Sequence, residues 1–212
     1  MKIIKIGDKE YPSKLLNIYN PPKKLYILGN VQILNEFGIA MVGTRYPSKY
    51  GEETAKSLSF NLAKHKVNVI SGMAKGIDAA SHKGCIMGKG KTIAVLGSGF
   101  NHIYPKENIK LFEEIIKTGG TVITEYEENV LPKPENFPKR NRIISGLSDG
   151  VVVVEAARRS GSLITAEFAL EQGKDVFAVP GNIFSPLSKG TNELIQDGAK
   201  LVTSIFDILE EF

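Results

Sequence analysis

"VVVVEAARRSGSLITAEFALEQGKDVFAVPG", residues 151–181, decides how the chain folds. Residues 151–156, Glu155 apart, are apolar and mostly β-branched without polar alternation, the pattern of a strand buried on both faces. A turn of small residues, Ser160-Gly161-Ser162, leads into a stretch with helical spacing over 162–172, and a second buried run follows at 175–181. The same alternation extends outward. Further strand-like runs stand at 38–43, 67–72, 92–97, 121–126 and 200–204, and helical spacing at 52–66, 76–88, 107–118, 140–148 and 190–197. Strand, helix, strand, repeated, predicts an α/β protein: three layers, a mostly parallel sheet with helices on both faces. The last segment, "SIFDILEEF", spaces Ile205, Phe206, Leu209 and Phe212 along one helical face.

Residues 1–37 have a different character, punctuated by Pro12, Pro21 and Pro22, and read as a short N-terminal annex leading into a main domain over 38–212. With 212 residues, 42% of them apolar, the chain can bury one substantial core. No run reaches the roughly 18 apolar residues of a membrane span, and "MKIIKIGDKEYP" lacks the apolar centre of a signal peptide. A cytoplasmic location is expected. The single cysteine, Cys85, excludes an intramolecular disulfide. The net charge of +4 is a mild bias toward acidic partners, and its placement says more. Segment 132–142 sets Lys133, Lys139, Arg140 and Arg142 against Glu135 alone.

Open α/β sheets bind ligands beyond the carboxyl ends of their strands, so the strand exits are the places to look. The first leaves Gly43, Thr44 and Arg45 at the edge, where Arg45 can fork onto a phosphate; the alternative is a surface arginine near a turn. The second, "SGMAKGID", offers Ser71, Gly72 and Lys75 to an anion, with Asp78 in the next helix's first turn complementing its dipole. In the "SGS" turn, Ser160, Gly161 and Ser162 either cradle a phosphate or cap the helix that follows.

Several motifs are excluded by their spacing. Gly97-x-Gly99 lacks the third glycine of a dinucleotide fingerprint, position 102 being histidine. "GCIMGKGK" places three residues between its first two glycines, where a P-loop needs four, and Gly90 follows the lysine in place of Ser or Thr. His82 and Cys85 have ligand-like spacing but no second Cys/His pair, so no zinc site is expected. No serine is arranged for a catalytic triad.

"NFPKRNRIISGLSDG", residues 136–150, reads as a helix beginning near 138, because Pro138 suits a first turn. The amides of Lys139, Arg140 and Asn141 are then free for an anion. Ile143, Ile144 and Leu147 share the buried face, with Arg140 in line one turn earlier and reaching in over the sheet edge. Asn141 and Arg142 face outward. Phe137 offers a ring on which a base can stack, a combination that suits single-stranded nucleic acid; the alternative is a solvated basic turn with Phe137 in the core.

"GTRYPSKYG", "SGMAKGIDAASHKG", "GKTIAVLGSGFNHIYP", "ITEY", the stretch from "NFPKRNR" to "AVPGN" and "GTNELIQDGA", in that order, closely resemble the DNA-processing protein A family (DprA, also called Smf) over roughly residues 10–202. The resemblance implies an extended Rossmann-like domain that binds single-stranded DNA, protects incoming DNA in natural transformation, loads the RecA recombinase and forms homodimers. It implies an electropositive pocket at Arg45, Lys133, Phe137, Arg140, Asn141 and Arg142, with the glycines and serines of "SGMAKG" and "SGS" along the same edge. No cofactor, metal or catalytic residue is implied. Larger members carry a C-terminal winged-helix domain, for which this sequence leaves no room, and it lacks a full N-terminal helical domain. More distantly, "SGSLITAE" is similar to the G-G-x-G-T-x-x-E turn of cytokinin-activating phosphoribohydrolases, with Thr165 and Glu167 in matching places. Nucleotide hydrolysis, and small-nucleotide sensing without chemistry, are thus the alternative functions.

Overall fold

The computed structural model describes residues 1–212. All seven strand-like runs form strands: β3 (Gly38–Val42), β4 (Asn68–Ser71), β5 (Thr92–Leu96), β6 (Thr121–Thr124), β7 (Gly150–Val153), β8 (Asp175–Ala178) and β9 (Lys200–Leu201). Two more come from the first 37 residues, β1 (Lys2–Lys5) and β2 (Lys24–Gly29). The helices are α1 (Ser13–Leu16), α2 (Lys49–Lys64), α3 (Ile77–Met87), α4 (Ile109–Lys117), α5 (Asn136–Leu147), α6 (Gly161–Glu171), α7 (Lys189–Gln196) and α8 (Phe206–Leu209).

One nine-stranded sheet runs in the order β1-β2-β6-β5-β4-β3-β7-β8-β9. From β6 to β9 every neighbouring pair is parallel, whereas β1 and β2 are antiparallel additions at the β6 edge. The chain winds outward from β3 to β6, returns to β7 beside β3, and then winds the other way. That reversal puts helices on both faces. Alternate residues of a strand serve opposite faces, and the core divides accordingly. Ala40 and Val42 belong to one cluster with Ile143, Ile144 and Leu147 of α5, while Ile39 and Met41 pack with Ala55, Leu58 and Leu62 of α2. No helix is long and apolar enough to cross a membrane.

The first 37 residues share the sheet's core. Ile4, Leu15, Leu25 and Ile27 join the α5 cluster, and Tyr11 donates its buried hydroxyl to the Pro22 carbonyl at 2.7 Å. β2 escapes a sequence reading because only one short apolar run, Leu25–Leu28, marks it, set off by Lys23-Lys24 from two prolines.

Two charged side chains, Glu155 buried and Lys174 half-buried, fix the ends of helices. Glu155, just past β7, accepts from the Ser48 amide at 2.8 Å and the Ser48 hydroxyl at 2.6 Å. It thereby anchors the residue that caps α2. Lys174 donates to the Ser145 and Gly146 carbonyls, both at 2.7 Å, and to Ser148, holding the far end of α5. Burial brings Lys174 down to about 8.

Candidate nucleic-acid interface

A cleft of about 570 Å³ opens at the carboxyl ends of β3 and β7, where the strand order reverses. Its walls are the β3 exit, the first turns of α5 and α6, and Tyr104 from the loop after β5. Of the residues expected at the site, Gly43, Thr44, Arg45, Phe137, Arg140, Asn141, Ser160, Gly161 and Ser162 line it.

The β3 exit is held from both sides. Thr44 donates its amide to the Glu155 carbonyl at 2.8 Å and accepts from the Ile77 amide at 3.2 Å. A Cβ at Gly43 would stand 2.9 Å from the Glu155 carbonyl oxygen, so only glycine permits this approach. The loop presents Arg45 exposed, with its guanidinium 5.4 Å from the centre of the Phe137 ring and no acidic partner.

The Phe137 ring packs on Gly97, where a Cβ would come within 2.9 Å, and lies 5.7 Å from the Tyr104 ring at 45°. One ring face therefore carries Arg45 rather than standing bare. The exposed guanidinium over the ring is itself a planar group, and arginine planes stack on unpaired bases as aromatic rings do.

Helix α5 starts at Asn136, two residues before the expected position, with Pro138 still inside its first turn. The Arg140 and Asn141 amides thus lie beyond the four that a helix start leaves unpaired. Arg140 does reach inward, as its spacing predicts. It is only 4% exposed, and its Nη1 donates to the Gly72 and Val95 carbonyls, clasping the exits of β4 and β5. Its Nε donates to Asn141 Oδ1 at 3.2 Å, which leaves Nη2 without a protein partner beside the cleft. Burial, offset in part by Asp78, lowers Arg140 to about 10. Asp78 accepts from the Gly72 and Ala74 amides, both at 3.2 Å. Burial raises its carboxyl above the ordinary range, against the pull of Arg140.

Asn141 and Arg142 do not face outward. Asn141 donates from Nδ2 to the Gly161 carbonyl at 3.2 Å, joining α5 to the start of α6. Arg142 is 7% exposed and forms a two-pronged pair with Glu125, each contact 2.7 Å, while its Nε donates to the Asn20 carbonyl at 3.0 Å. The face that is outward on an isolated helix is covered here by α6 on one flank and by the N-terminal residues and the β6 exit on the other.

The remaining expected residues lie outside the cleft. The Ser71 hydroxyl donates to the Met41 carbonyl at 2.7 Å, and Gly72 is buried against Arg140, so both build the floor. Lys75 pairs with Glu107 at 2.6 Å. Lys133 and Lys139 are exposed near the α5 start and have no ionic partner. Ser160 caps α6, accepting from the Ser162 amide at 3.4 Å, and its hydroxyl lies 2.8 Å from that of Ser162. Thr165 lines the cleft, but Glu167, two residues along, is exposed and does not. His82 and Cys85 are fully buried in α3, with His82 Nδ1 hydrogen-bonded to Thr92 Oγ1 at 2.7 Å.

Tyr46 and Tyr104 also line the cleft and were missed by spacing arguments. A signal existed. Each directly precedes a proline in the loop that follows a strand, and a residue before proline is biased toward extended conformation.

A doubly wound, Rossmann-like protein with a cation-bearing cleft at its switch point is the class these features define. Residues 2–212 match the family described as DNA recombination-mediator protein A, and the chain belongs to it. It is 46% identical to DNA processing protein DprA of Bacillus subtilis over 98% of this chain and 70% of that protein. To protein Smf of Escherichia coli it is 46% identical over 98% of this chain and 56% of the relative. An X-ray structure of DprA from Streptococcus pneumoniae superposes with a TM-score of 0.94 at 45% identity, covering all of this chain and 74% of the other. DNA processing protein A from Helicobacter pylori, solved in a study of its single-stranded DNA binding mode, superposes at 0.88 with 30% identity, covering all of this chain and 95% of that one. Molybdenum cofactor carrier proteins share the fold alone, at 15% to 17% identity and TM-scores of 0.52 to 0.56 for those from Rippkaea orientalis and Chlamydomonas reinhardtii.

Proposed function

We propose that this chain binds single-stranded DNA in the cleft between β3 and β7, as a non-catalytic mediator that protects incoming DNA and helps load the RecA recombinase in natural transformation. The observation that carries this reading is Arg45, an exposed cation with no acidic partner, its guanidinium 5.4 Å from the centre of the Phe137 ring in the cleft. Such a group meets a phosphate with its edge and a base with its face. Arg140, whose Nη2 has no hydrogen-bond partner in the protein, adds a second cation to the lining. Asp78, the acid among the lining residues, is already engaged by two backbone amides. The Helicobacter pylori relative supports DNA as the polyanion.

A non-catalytic role fits the side chains present. No histidine lines the cleft, the Ser160 and Ser162 hydroxyls face each other, and Glu167 points elsewhere, so neither hydroxyl has a base and a glycosidic bond in the cleft would have no carboxylate from that turn. In this reading residues 38–212 form the DNA-binding domain, the protein works in the cytoplasm, and a homodimer presents two clefts.

Fluorescence anisotropy with labelled oligo-dT over a salt series tests the proposal. Binding is expected at low salt, with log affinity falling linearly in log salt by about 0.7 per phosphate contacted. Absence of binding at low salt, or release of free base from AMP by the protein, would overturn it.

A further inference from the structure

The carboxyl edge of the sheet continues past the cleft. Strands β3, β7 and β8 are consecutive parallel neighbours, so the chain leaves Val42, Val153 and Ala178 along one edge. Strands pair about 4.8 Å apart, which sets the β8 exit roughly 10 Å from that of β3. Tyr46, on the β3 exit, is 77% exposed. One helical turn further, Tyr50 is 52% exposed and donates its hydroxyl to the Pro180 carbonyl at 3.0 Å. Beyond Pro180 stand Ile183, 73% exposed, and Phe184, 86% exposed.

The turn that carries Phe184 is built rather than slack. Asn192 accepts from the Gly181 amide at 3.1 Å and donates to the Gly181 carbonyl at 3.0 Å. Asn182 Oδ1 accepts from the Phe184 amide, and its carbonyl from the Ser185 amide, both at 2.9 Å. The fold thus holds the backbone that projects an aromatic ring into water. Residues 179–192 contain no Asp or Glu, and Lys189 is exposed; Glu193, next along the chain, pairs with Arg158 at 2.5 Å, and Arg159 beside that arginine is exposed without an ionic partner.

The geometry points to Phe184 as a second stacking site for single-stranded DNA, taking a base of the strand after it leaves the cleft past Tyr46 and Tyr50. This rests on the DNA-binding reading of the cleft. A chain in which every unit pairs a flat apolar base with an anion matches a ring flanked by unpaired cations, and does so by stacking without sequence preference. A basic protein surface finds only Glu193 at the end of this segment, and Arg158 already holds it.

The protein has no tryptophan, so Phe184→Trp installs a single fluorescent reporter. It is titrated with oligo-dT of about 20 nucleotides, long enough to pass the turn, and of about 4, which occupies the cleft alone. Binding is followed in parallel by sedimentation. The expected result is quenching by the long strand, in step with its binding, and none by the short one. Phe184→Ala is expected to weaken the long strand about 5- to 150-fold and leave the short one unchanged. Binding of the long strand with unmoved emission overturns the second site and leaves the cleft standing, whereas no binding of either strand by the unaltered protein overturns both. Emission that shifts with protein concentration in the absence of DNA shows a second copy covering the ring and overturns the DNA assignment.

Discussion

The Arg45 guanidinium lies 5.4 Å from the centre of the Phe137 ring, joining the exit of β3 to the first turn of α5. The contact sets the plane of a side chain that otherwise projects into solvent. Arg45→Ala should therefore act on binding and not on folding. Anisotropy over a salt series is expected to show weaker oligo-dT binding and a salt slope reduced by about 0.7. Urea unfolding should change by no more than about 0.5 kcal/mol. Arg45→Lys keeps the charge but loses the plane, and is expected to retain the salt slope while still weakening binding.

Arg140 has the opposite balance. It clasps two carbonyls beneath the cleft at 4% exposure, with Asp78 close enough to offset its desolvation. Arg140→Met leaves those carbonyls and a buried carboxyl without their partner, so the expected loss is about 3–5 kcal/mol in urea unfolding. A loss below about 1 kcal/mol would show that the clasp contributes little.

The Arg142–Glu125 pair predicts a loss localised in the sheet's edge. Glu125→Gln weakens the pair that positions Arg142 against Asn20, loosening the N-terminal residues from α5. Limited proteolysis is expected to cut within residues 1–37 faster than in the unaltered protein, with unfolding free energy lower by about 3 kcal/mol. Unchanged cleavage would return Arg142 to the role of a solvent-facing cation.

Burial, with a smaller contribution from the Arg140 charge, brings His82 down from 6.5 to about 3. The unfolded chain takes up this proton near pH 6.5 and the folded chain only near 3, so between them the unfolded state binds more protons. Stability from this group is complete above pH 6.5 and falls as pH drops toward 3, by about 1.4 kcal/mol per unit within the window. His82→Gln should flatten the dependence by that amount. Urea unfolding at successive pH values compares slopes, so a uniform loss of stability in the variant does not obscure the result.

The parallel part of the fold was legible because buried strands are continuous apolar runs and the helices between them carry their own period. β3, β5 and β8 begin where those runs begin. The runs overshoot the strands at their carboxyl ends, as at Val154–Ala156, because the residues that leave a ladder here remain buried. β1 and β2 were not legible. Each has only a short apolar run, and β6, the strand that joins the pair to the sheet through β2, is remote in sequence.

At the site, residue type and the position of the strand exits were enough to choose Arg45, Phe137, Arg140 and the Ser160-Gly161-Ser162 turn. Sequence also determined that Arg140 points inward, because helical period ties it to Ile143, Ile144 and Leu147. The tertiary structure alone decided what each cation is free to do. A charge becomes available or committed according to the carbonyls and carboxylates that distant segments bring to it. Glu125 claims Arg142, Glu107 claims Lys75, the exits of β4 and β5 claim half of Arg140, and nothing claims Arg45.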